Sequence, residues 1–385
     1  MRIGIDARLI LDARMGGAQY TYYLTKNLLN IDKKNTYVLF YNFMRRTKGR
    51  MDTIKEFVYP NVESKIVRFP GDALIFLWNK FGFPSLDSII GKMDLFHYSI
   101  FRLDIPPVNC KWVATIHHVI PEKFRHFEYS LNEIRVKKYY QKLKSASSQA
   151  TLVIIPSAVT KKQLIEEFNF PEDKIRVTPE AAGDIFRPIE DKALLKERLD
   201  AYGISEKYIL YAGGSTWNKN LSRLIDAFIL LKKEVTREYK LVFVGKRSWG
   251  YEELLLKIHQ MGLEDRVIFT DYVPEDDLVY LYNGAEFFIY PSLWEGFGLS
   301  AIEAMACGCP VAASNIPVFK EVIQESGLYF DPEDVEDIAQ AMFKLIEDDN
   351  LRQNLQEKGS QRAKFFSWEK TARETLNVYK EAVER

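Results

Sequence analysis

Short apolar runs alternate with stretches of helical periodicity along most of the chain. In the first half, the runs that predict strands are Arg2–Ile5, Tyr37–Tyr41, Lys65–Phe69, Asp94–His97, Lys111–Ile116, Thr151–Ile155 and Ile175–Thr178. Between the first two runs, Gln19–Leu29 carries apolar side chains at the spacing of one buried helix face. Ser157 follows a predicted strand and is expected to cap the next helix. Such alternation is typical of parallel βαβ units.

The pattern restarts after a break at Pro179–Tyr202, which contains no regular strand. The later predicted strands are Tyr208–Ala212, Lys240–Val244, Val267–Phe269, Phe287–Tyr290 and Val311–Ala313. The later predicted helices are Leu221–Lys233 (capped by Asn220), Tyr251–Met261, Asp276–Asn283 and Leu299–Ala306. We therefore expect one domain over residues 1–185 and another over residues 200–365. A last predicted helix, Glu369–Val383, has no strand after it. One arrangement consistent with the sequence is that this helix packs back on the first domain.

The predicted fold class is α/β, with two tandem Rossmann-like domains facing each other across a cleft. Doubly wound sheets bind ligands at the carboxyl ends of their strands, so the cleft is the expected ligand site. A ligand held between two domains also implies hinge closure. The fold does not by itself name a reaction.

Composition narrows the class of protein. The 385 residues are long for one core, and the formal net charge is zero, which disfavours a dedicated nucleic-acid binder. The three cysteines, at 110, 307 and 309, form neither a disulfide framework nor a zinc site. The amino terminus lacks an apolar signal core, and no apolar run approaches membrane-spanning length. A cytoplasmic protein is expected.

The most informative motif follows the predicted strand Phe287–Tyr290 and opens a predicted helix. Its members with expected roles are Glu295, Gly296, Phe297, Gly298, Leu299, Ser300 and Glu303. The glycines let the backbone approach a ligand closely, and the first amides of a helix bind anions. The flanking carboxylates suit a ligand with hydroxyls on both sides of a phosphate, such as a nucleotide sugar. The alternative is two solvated carboxylates favoured by the helix dipole, but the glycines and the preceding strand favour a site.

This motif resembles the Glu-x₇-Glu signature of the family 4 retaining glycosyltransferases, which have the GT-B fold. Other segments resemble the same family, in the family's order: MRIGIDARLI with Gly16-Gly17, Ala114–His118, Gly213–Ile225 and Phe366–Glu369. The resemblance spans nearly the whole chain. It implies a nucleoside-diphosphate sugar as donor and a metal-independent transfer without a further cofactor. No Asp-x-Asp occurs in the chain.

The resemblance also implies residue roles. Glu303 holds the ribose hydroxyls, while Glu295 and the backbone from Gly296 to Gly298 lie beside the sugar. His117 is near the reacting sugar, where a neutral imidazole can donate or accept a hydrogen bond. Lys219, with the helix amides, stabilises the negative charge on the departing diphosphate. We assign no covalent nucleophile.

Two departures from the family pattern affect these roles. Gly214 stands where the family often has an arginine, so a second phosphate cation would come from Lys246 or Arg247. The alternative, that both are solvated loop residues, has equal weight. His118 replaces an expected aspartate, and since neighbouring strand residues point to opposite faces, one histidine alone can face the cleft. The family position selects His117.

Finer features point to the substrate and its location. The segment Pro179–Ala182 and the Lys219-Asn220 loop resemble mannosyltransferases, so GDP-mannose is the first donor candidate, with a glycan or lipid-linked acceptor in polysaccharide or glycoconjugate synthesis. The first domain is locally basic at 45–50 and at Arg135, Lys137, Lys138, Lys142 and Lys144. With the apolar segment Ala73–Phe83, these predict either peripheral contact with anionic lipid or a solvated helix face, and the zero net charge favours the second.

Other functions and residues are compatible with parts of the pattern. A catalytically silent nucleotide-sugar-binding subunit and a GT-B-fold sugar-nucleotide epimerase both remain open. A nicotinamide dehydrogenase is disfavoured because Gly16-Gly17 is not a Gly-x-Gly-x-x-Gly turn. His97 has two interpretations, a residue lining the cleft and a buried histidine with partners, of which the second is favoured. His126 and His259 are interpreted as surface residues. Arg8 and Gln19 flank the Gly16-Gly17 loop and are candidates for contact with an acceptor.

Overall fold

The computed structural model describes residues 1–11, 16–99, 106–231, 238–247 and 250–385. Within helix 122–149 it leaves out the side chains of 126–132 and 135. The predictions for His126, for the Arg135 side chain and for the end of the helix at 221–233 therefore lie outside the described residues.

The chain divides into two units. The first contains Met1–Glu180 together with Trp368–Arg385, and the second contains Ala181–Ser367. Each unit is built on one parallel sheet, so each has buried strands with helices between them.

The first sheet has seven strands in the order β3-β2-β1-β4-β5-β6-β7. Every pairing is parallel. The strands are β1 (Arg2–Asp6), β2 (Thr36–Asn42), β3 (Val62–Val67), β4 (Leu95–Ser99), β5 (Lys111–Thr115), β6 (Leu152–Ile155) and β7 (Ile175–Val177). The order reverses between β1 and β4, which is the switch point where doubly wound sheets open a ligand crevice.

Helices connect these strands. They are α1 (Gly17–Ile31), α2 (Lys48–Lys55), α3 (Gly71–Phe81), α4 (Leu86–Ile90), α5 (Glu122–Gln149) and α6 (Ala158–Phe168). The Ser157 cap is confirmed, because its hydroxyl accepts a bond of 3.1 Å from the Thr160 amide at the start of α6.

The second sheet has six strands in the order β10-β9-β8-β11-β12-β13, all parallel. The strands are β8 (Lys207–Ala212), β9 (Tyr239–Val244), β10 (Val267–Asp271), β11 (Phe287–Tyr290), β12 (Val311–Ser314) and β13 (Gly327–Phe330). The twelve predicted strands are confirmed with small shifts at their ends, and β13 was not predicted.

The helices that follow in sequence are α7 (Lys192–Asp200), α8 (Leu221–Leu230), α9 (Tyr251–Gln260), α10 (Glu275–Gly284), α11 (Leu299–Ala306), α12 (Pro317–Val322), α13 (Val335–Glu347), α14 (Asp349–Ala363) and α15 (Trp368–Glu384). The prediction that Asn220 caps α8 is wrong in its chemistry. Asn220 occupies the N-cap position, but its backbone is left-handed and its side chain makes no capping bond. Its amide instead donates to the Pro332 carbonyl at 2.6 Å.

Helix α15 belongs to the first unit and packs on α1. Trp368 stacks on Tyr23 with ring centroids 5.6 Å apart and meets Tyr20 edge-on at 5.8 Å. Farther along α15, the hydroxyl of buried Tyr379 lies 2.6 Å from Nδ1 of His97 on β4. The interpretation of His97 as a buried histidine with partners is confirmed. The last helix is thus part of the core of the first unit.

In the described part of the chain, no helix is long and apolar enough to cross a membrane. Cys307 and Cys309 are buried, and all three cysteines are unpaired.

Replacement of Trp368 by alanine tests the importance of this packing. The ring is 3% exposed, and loss of a buried aromatic ring costs about 3–5 kcal/mol of unfolding free energy. We expect the free energy of unfolding in urea to fall by this amount. Unfolding is measured by far-UV circular dichroism, whose signal does not depend on the tryptophan. Phe365→Ala is the control, because that ring is 68% exposed. If both variants were equally stable, the proposed contribution of Trp368 to the stability of the protein would be contradicted.

Candidate functional site

A glycine turn introduces helix α11 at the carboxyl end of β11. Gly298 has φ +107°, and a Cβ there would lie 2.9 Å from the Phe319 ring. A side chain at this position would be strained and crowded at once. The turn leaves the amides of Leu299 and Ser300 at the start of α11, as the sequence predicts.

Lys219 and Glu295 form an ion pair in the second unit. Their side chains are 18% and 13% exposed, so the pair is shielded from most solvent. The hydroxyl of Ser292 also donates to Glu295 Oε1 at 2.7 Å. The two partners are 76 residues apart and meet because β8 and β11, whose carboxyl ends precede them, are neighbours in the sheet. The predicted phosphate cation is therefore bonded to a carboxylate in this structure.

Asn218 ties the two loops together. Its carbonyl accepts a bond of 2.8 Å from the Leu293 amide, and its side-chain amide reaches the Trp294 carbonyl at 3.4 Å. These bonds fix the loop that carries Lys219 against the loop that carries Glu295.

Glu303 lies on α11 and is 3% exposed. The Tyr282 hydroxyl, from α10, donates to its Oε2 at 3.2 Å. Burial raises the pKa of Tyr282 well above its ordinary value, and the Glu303 carboxylate adds to the shift, so the hydroxyl remains a donor. Sequence analysis did not identify Tyr282, because nothing local marks a tyrosine that supports a carboxylate 21 residues away.

The loops after β8 and β9 approach each other at glycines. Gly245 has φ +144°, and a Cβ there would lie 1.9 Å from the Gly213 carbonyl oxygen. The neighbouring Gly214 carbonyl accepts a bond of 2.8 Å from the Tyr211 hydroxyl. No side chain fits between these backbones at Gly245.

The two predicted substitutes for a cation at Gly214 have different surroundings. Arg247 forms a bidentate pair with Asp271, with bonds of 2.5 and 2.8 Å, and that hydrogen bonding raises the Arg247 pKa. The Lys246 ammonium lies 5.9 Å from the centre of the Tyr272 ring. Both side chains are exposed, and their part in donor binding stays a prediction.

In the first unit, His117 follows β5 and is held at both ring nitrogens. Nδ1 lies 3.0 Å from Glu180 Oε1, and Nε2 lies 2.8 Å from Ser99 Oγ. The Tyr20 ring meets the imidazole edge-on at 4.6 Å. His118 instead stacks on Tyr139. Neither Ser99 nor the bond to Glu180 was foreseen, since the three residues are distant in sequence.

Two further predicted positions lie at the start of the first unit. Gly16 has φ +52° and occupies the N-cap of α1, and Gly17 is the first residue of that helix. The loop before them, residues 12–15, lies outside the described residues. Arg8 is buried in an ion pair with Asp6 at 2.7 Å, so the proposed contact with an acceptor does not match its surroundings.

The predicted site residues thus form two groups. Lys219, Glu295, Glu303 and residues 296–300 gather at the carboxyl edge of the second sheet, while His117 and the Gly16-Gly17 turn belong to the first unit. Among the residues that the structure describes, no three His, Cys, Asp or Glu side chains come together as a metal site. The group in the second unit places the Lys219 ammonium and the amides at the start of α11 beside the carboxylates of Glu295 and Glu303, and an ammonium with helix amides is the chemistry of an anion site.

Two family models match most of the chain between them. Residues 15–181 match Glycosyltransferase Family 4, and residues 199–362 match Glycosyl transferases group 1. The second match contains Lys219 and the whole 295–303 motif.

The chain is also similar in sequence to curated proteins. The chain is 35% identical over 247 residues to O-antigen chain mannosyltransferase B of Escherichia coli, which covers 64% of this chain and 65% of that protein. The chain spans between 33% and 65% of the length of this protein and of three further Escherichia coli relatives.

Solved structures match the fold over almost the full length. Sucrose-phosphate synthase from Thermosynechococcus elongatus has a TM-score of 0.74 at 20% identity, covering 99% of this chain and 98% of that one. Anabaena Alr3699/HepE in complex with UDP-glucose has a TM-score of 0.73 at 17% identity, covering 99% of both chains. With both units matched by consecutive family models and both sheets matched by such structures, the chain belongs to the family 4, group 1 glycosyltransferases and has their GT-B fold.

Proposed function

We propose that this protein is a retaining hexosyltransferase that moves mannose from GDP-mannose to a glycan or lipid-linked acceptor in polysaccharide synthesis. The observation that carries the proposal is the Lys219–Glu295 pair beside the glycine turn of α11. A shielded cation and helix amides at one sheet edge suit the diphosphate of a nucleotide sugar. The matched relative from Escherichia coli is named as a mannosyltransferase, which favours mannose.

Charge explains how this site would promote transfer. As the glycosidic bond to the diphosphate breaks, negative charge grows on the leaving group and positive charge grows on the sugar. Lys219 and the amides at the start of α11 stabilise the first, and Glu295 stabilises the second. Lys219 is bonded to Glu295 in the structure, so the incoming diphosphate takes over an ammonium that is already in place. This use of protein cations supports a transfer that needs no metal ion.

Glu303 is assigned to the ribose of the nucleotide, and its carboxylate, like Lys219, is already held in place by a protein partner. A ribose hydroxyl donates to its carboxylate, and Tyr282 holds that carboxylate in place. His117, in the first unit, is assigned to the hydroxyls of the transferred sugar. No residue is assigned as a covalent nucleophile.

The donor and the stereochemistry are tested together. GDP-mannose at 100 times its Kd should stabilise the protein by about 2.7 kcal/mol, read as a thermal shift that UDP-glucose and UDP-N-acetylglucosamine do not match. Transfer should continue in EDTA, and NMR of the product should show the α-anomeric configuration of the donor. A selective thermal shift with a uridine-diphosphate sugar would show that this sugar, and not GDP-mannose, is the donor. Donor turnover without acceptor would indicate an epimerase, and binding without any turnover a silent subunit.

Lys219→Met tests the phosphate cation. We expect kcat/KM to fall about 100- to 1,000-fold, as when one preorganised transition-state donor is removed. The change also leaves the shielded Glu295 carboxylate without its cation, which is destabilising, so the free energy of unfolding of the variant is measured as well. The double variant Lys219→Met/Glu295→Gln removes both charges and should regain stability but remain inactive. Lys358→Met, an exposed change on α14, is the control. Wild-type kinetics in a folded Lys219→Met variant would overturn the assignment.

We also propose that the first unit touches an anionic membrane surface on the cytoplasmic side. Helix α3 and the residues after it expose three aromatic rings, Phe76, Phe81 and Phe83, at 55%, 61% and 66%. The Lys80 ammonium lies 5.3 Å from the first two ring centres. Apolar rings beside a cation suit the boundary between headgroups and acyl chains.

Vesicle co-sedimentation tests this contact. Binding to phosphatidylglycerol vesicles should weaken about tenfold or more in the triple variant Phe76→Ser/Phe81→Ser/Phe83→Ser, since each ring would lose apolar burial. It should also weaken with salt, because surface attraction is screened. Phe365→Ser, which removes an equally exposed ring of the second unit, is the control. Salt-insensitive or absent binding by the wild-type protein would contradict the proposal.

A further inference from the structure

The imidazole of His117 lies in a hydrogen-bonded row of three side chains. Glu180 is at Nδ1 and Ser99 is at Nε2, with bonds of 3.0 and 2.8 Å. The side chains of His117 and Glu180 are 9% and 7% exposed. The row stands at the carboxyl edge of the first sheet, since Ser99 ends β4 and His117 follows β5.

Glu180 follows two residues whose backbones are held by hydrogen bonds. The Thr178 amide, just after β7, donates to the Ile155 carbonyl at 2.9 Å. The hydroxyl of Thr371, on α15, donates to the Pro179 carbonyl at 2.5 Å. The carboxylate is therefore delivered by two elements that are far apart in sequence.

Elementary hydrogen-bond chemistry sets the direction of the row. An ionised carboxylate can only accept, so Nδ1–H of His117 donates to Glu180. In the neutral ring, Nε2 then carries the lone pair and accepts from the Ser99 hydroxyl. The hydroxyl proton points at the ring, and the remaining lone pairs of Ser99 Oγ point elsewhere.

Other titratable groups near this row do not compete for its proton. Burial lowers the pKa of His97 to about 3, with His117 adding to the shift, so His97 is uncharged at neutral pH. Asp6, whose charge opposes that shift, is paired with Arg8. Burial raises the pKa of Tyr20 above its ordinary value, so its hydroxyl keeps its proton.

We propose that Glu180 is a positioning residue that fixes the tautomer of His117, so that Nε2 is the ring atom that carries the lone pair and accepts a hydrogen bond. This inference rests on the proposed function, in which His117 contacts the transferred sugar. Glu180 does not touch the substrate. It acts through the imidazole, as a carboxylate behind a metal-bound histidine fixes the tautomer of that ring.

Histidine tautomers are read directly by long-range ¹H–¹⁵N NMR. The wild-type protein at pH 8 should show His117 with a protonated Nδ1 and an unprotonated Nε2, assigned by comparison with His117→Gln. Glu180→Leu should lose this preference. Glu180→Gln should keep it, because the amide oxygen still accepts from Nδ1–H.

Kinetics with matched variants complete the test. Glu180→Leu should lower kcat about 10- to 100-fold with the donor KM within twofold, by analogy with the loss of a carboxylate behind a metal-bound histidine. Glu180→Gln should recover most of that loss. Glu166→Gln, an exposed carboxylate on α6, is the control.

Each outcome has a defined meaning. Nε2 protonation in the wild type, or an unchanged tautomer and kcat in folded Glu180→Leu, would overturn the inference. Leu and Gln variants equally impaired would also overturn it, because a role in fixing the tautomer requires rescue by the amide. If the wild-type protein transferred no sugar, the proposed function would fail while the NMR result still decided the tautomer.

Discussion

Parallel strand pairing obliges the chain to cross back over each sheet before the next strand can begin. All strands of one sheet therefore end at the same edge, and the loops that leave those ends are neighbours whatever their separation in sequence. Lys219 meets Glu295, and His117 meets both Ser99 and Glu180, for this reason. The chemistry of both units depends on this arrangement.

A second constraint is that a charge removed from water needs a partner. The structure meets it with pairs rather than single ions: Lys219 with Glu295, Glu180 with His117, and Arg8 with Asp6. In the Lys219–Glu295 pair, the ammonium can pass to a substrate phosphate, whereas Glu180 keeps its bond to His117. The Arg8–Asp6 pair is shielded further by the Phe40 and Trp78 rings, each centred 5.4 Å from the guanidinium carbon, and is a structural pair.

Local pattern accounts for most of what the sequence predicted. Buried parallel strands are continuous apolar runs, so β8 and β11 were found almost to the residue, and the glycine turn before α11 has a local cause in Gly298. The short β13, which begins with glycine, was missed. The partners of known residues were also missed. Glu180 lies 63 residues from His117, and pattern carries no information on which loops meet until strand order is known.

The assignment of α15 to the first unit gives the chain a particular order of folding. The second unit, residues 181–367, is complete before α15 has been synthesised, whereas the first unit still lacks the helix that covers Tyr23 and His97. At roughly 5–20 residues per second, the ribosome needs roughly 10–40 seconds to pass through the intervening segment. During that time the Tyr20 and Tyr23 rings of α1 lack their packing partner, Trp368 of α15. The first unit is thus made first but completes its core last, after the whole second unit has been synthesised.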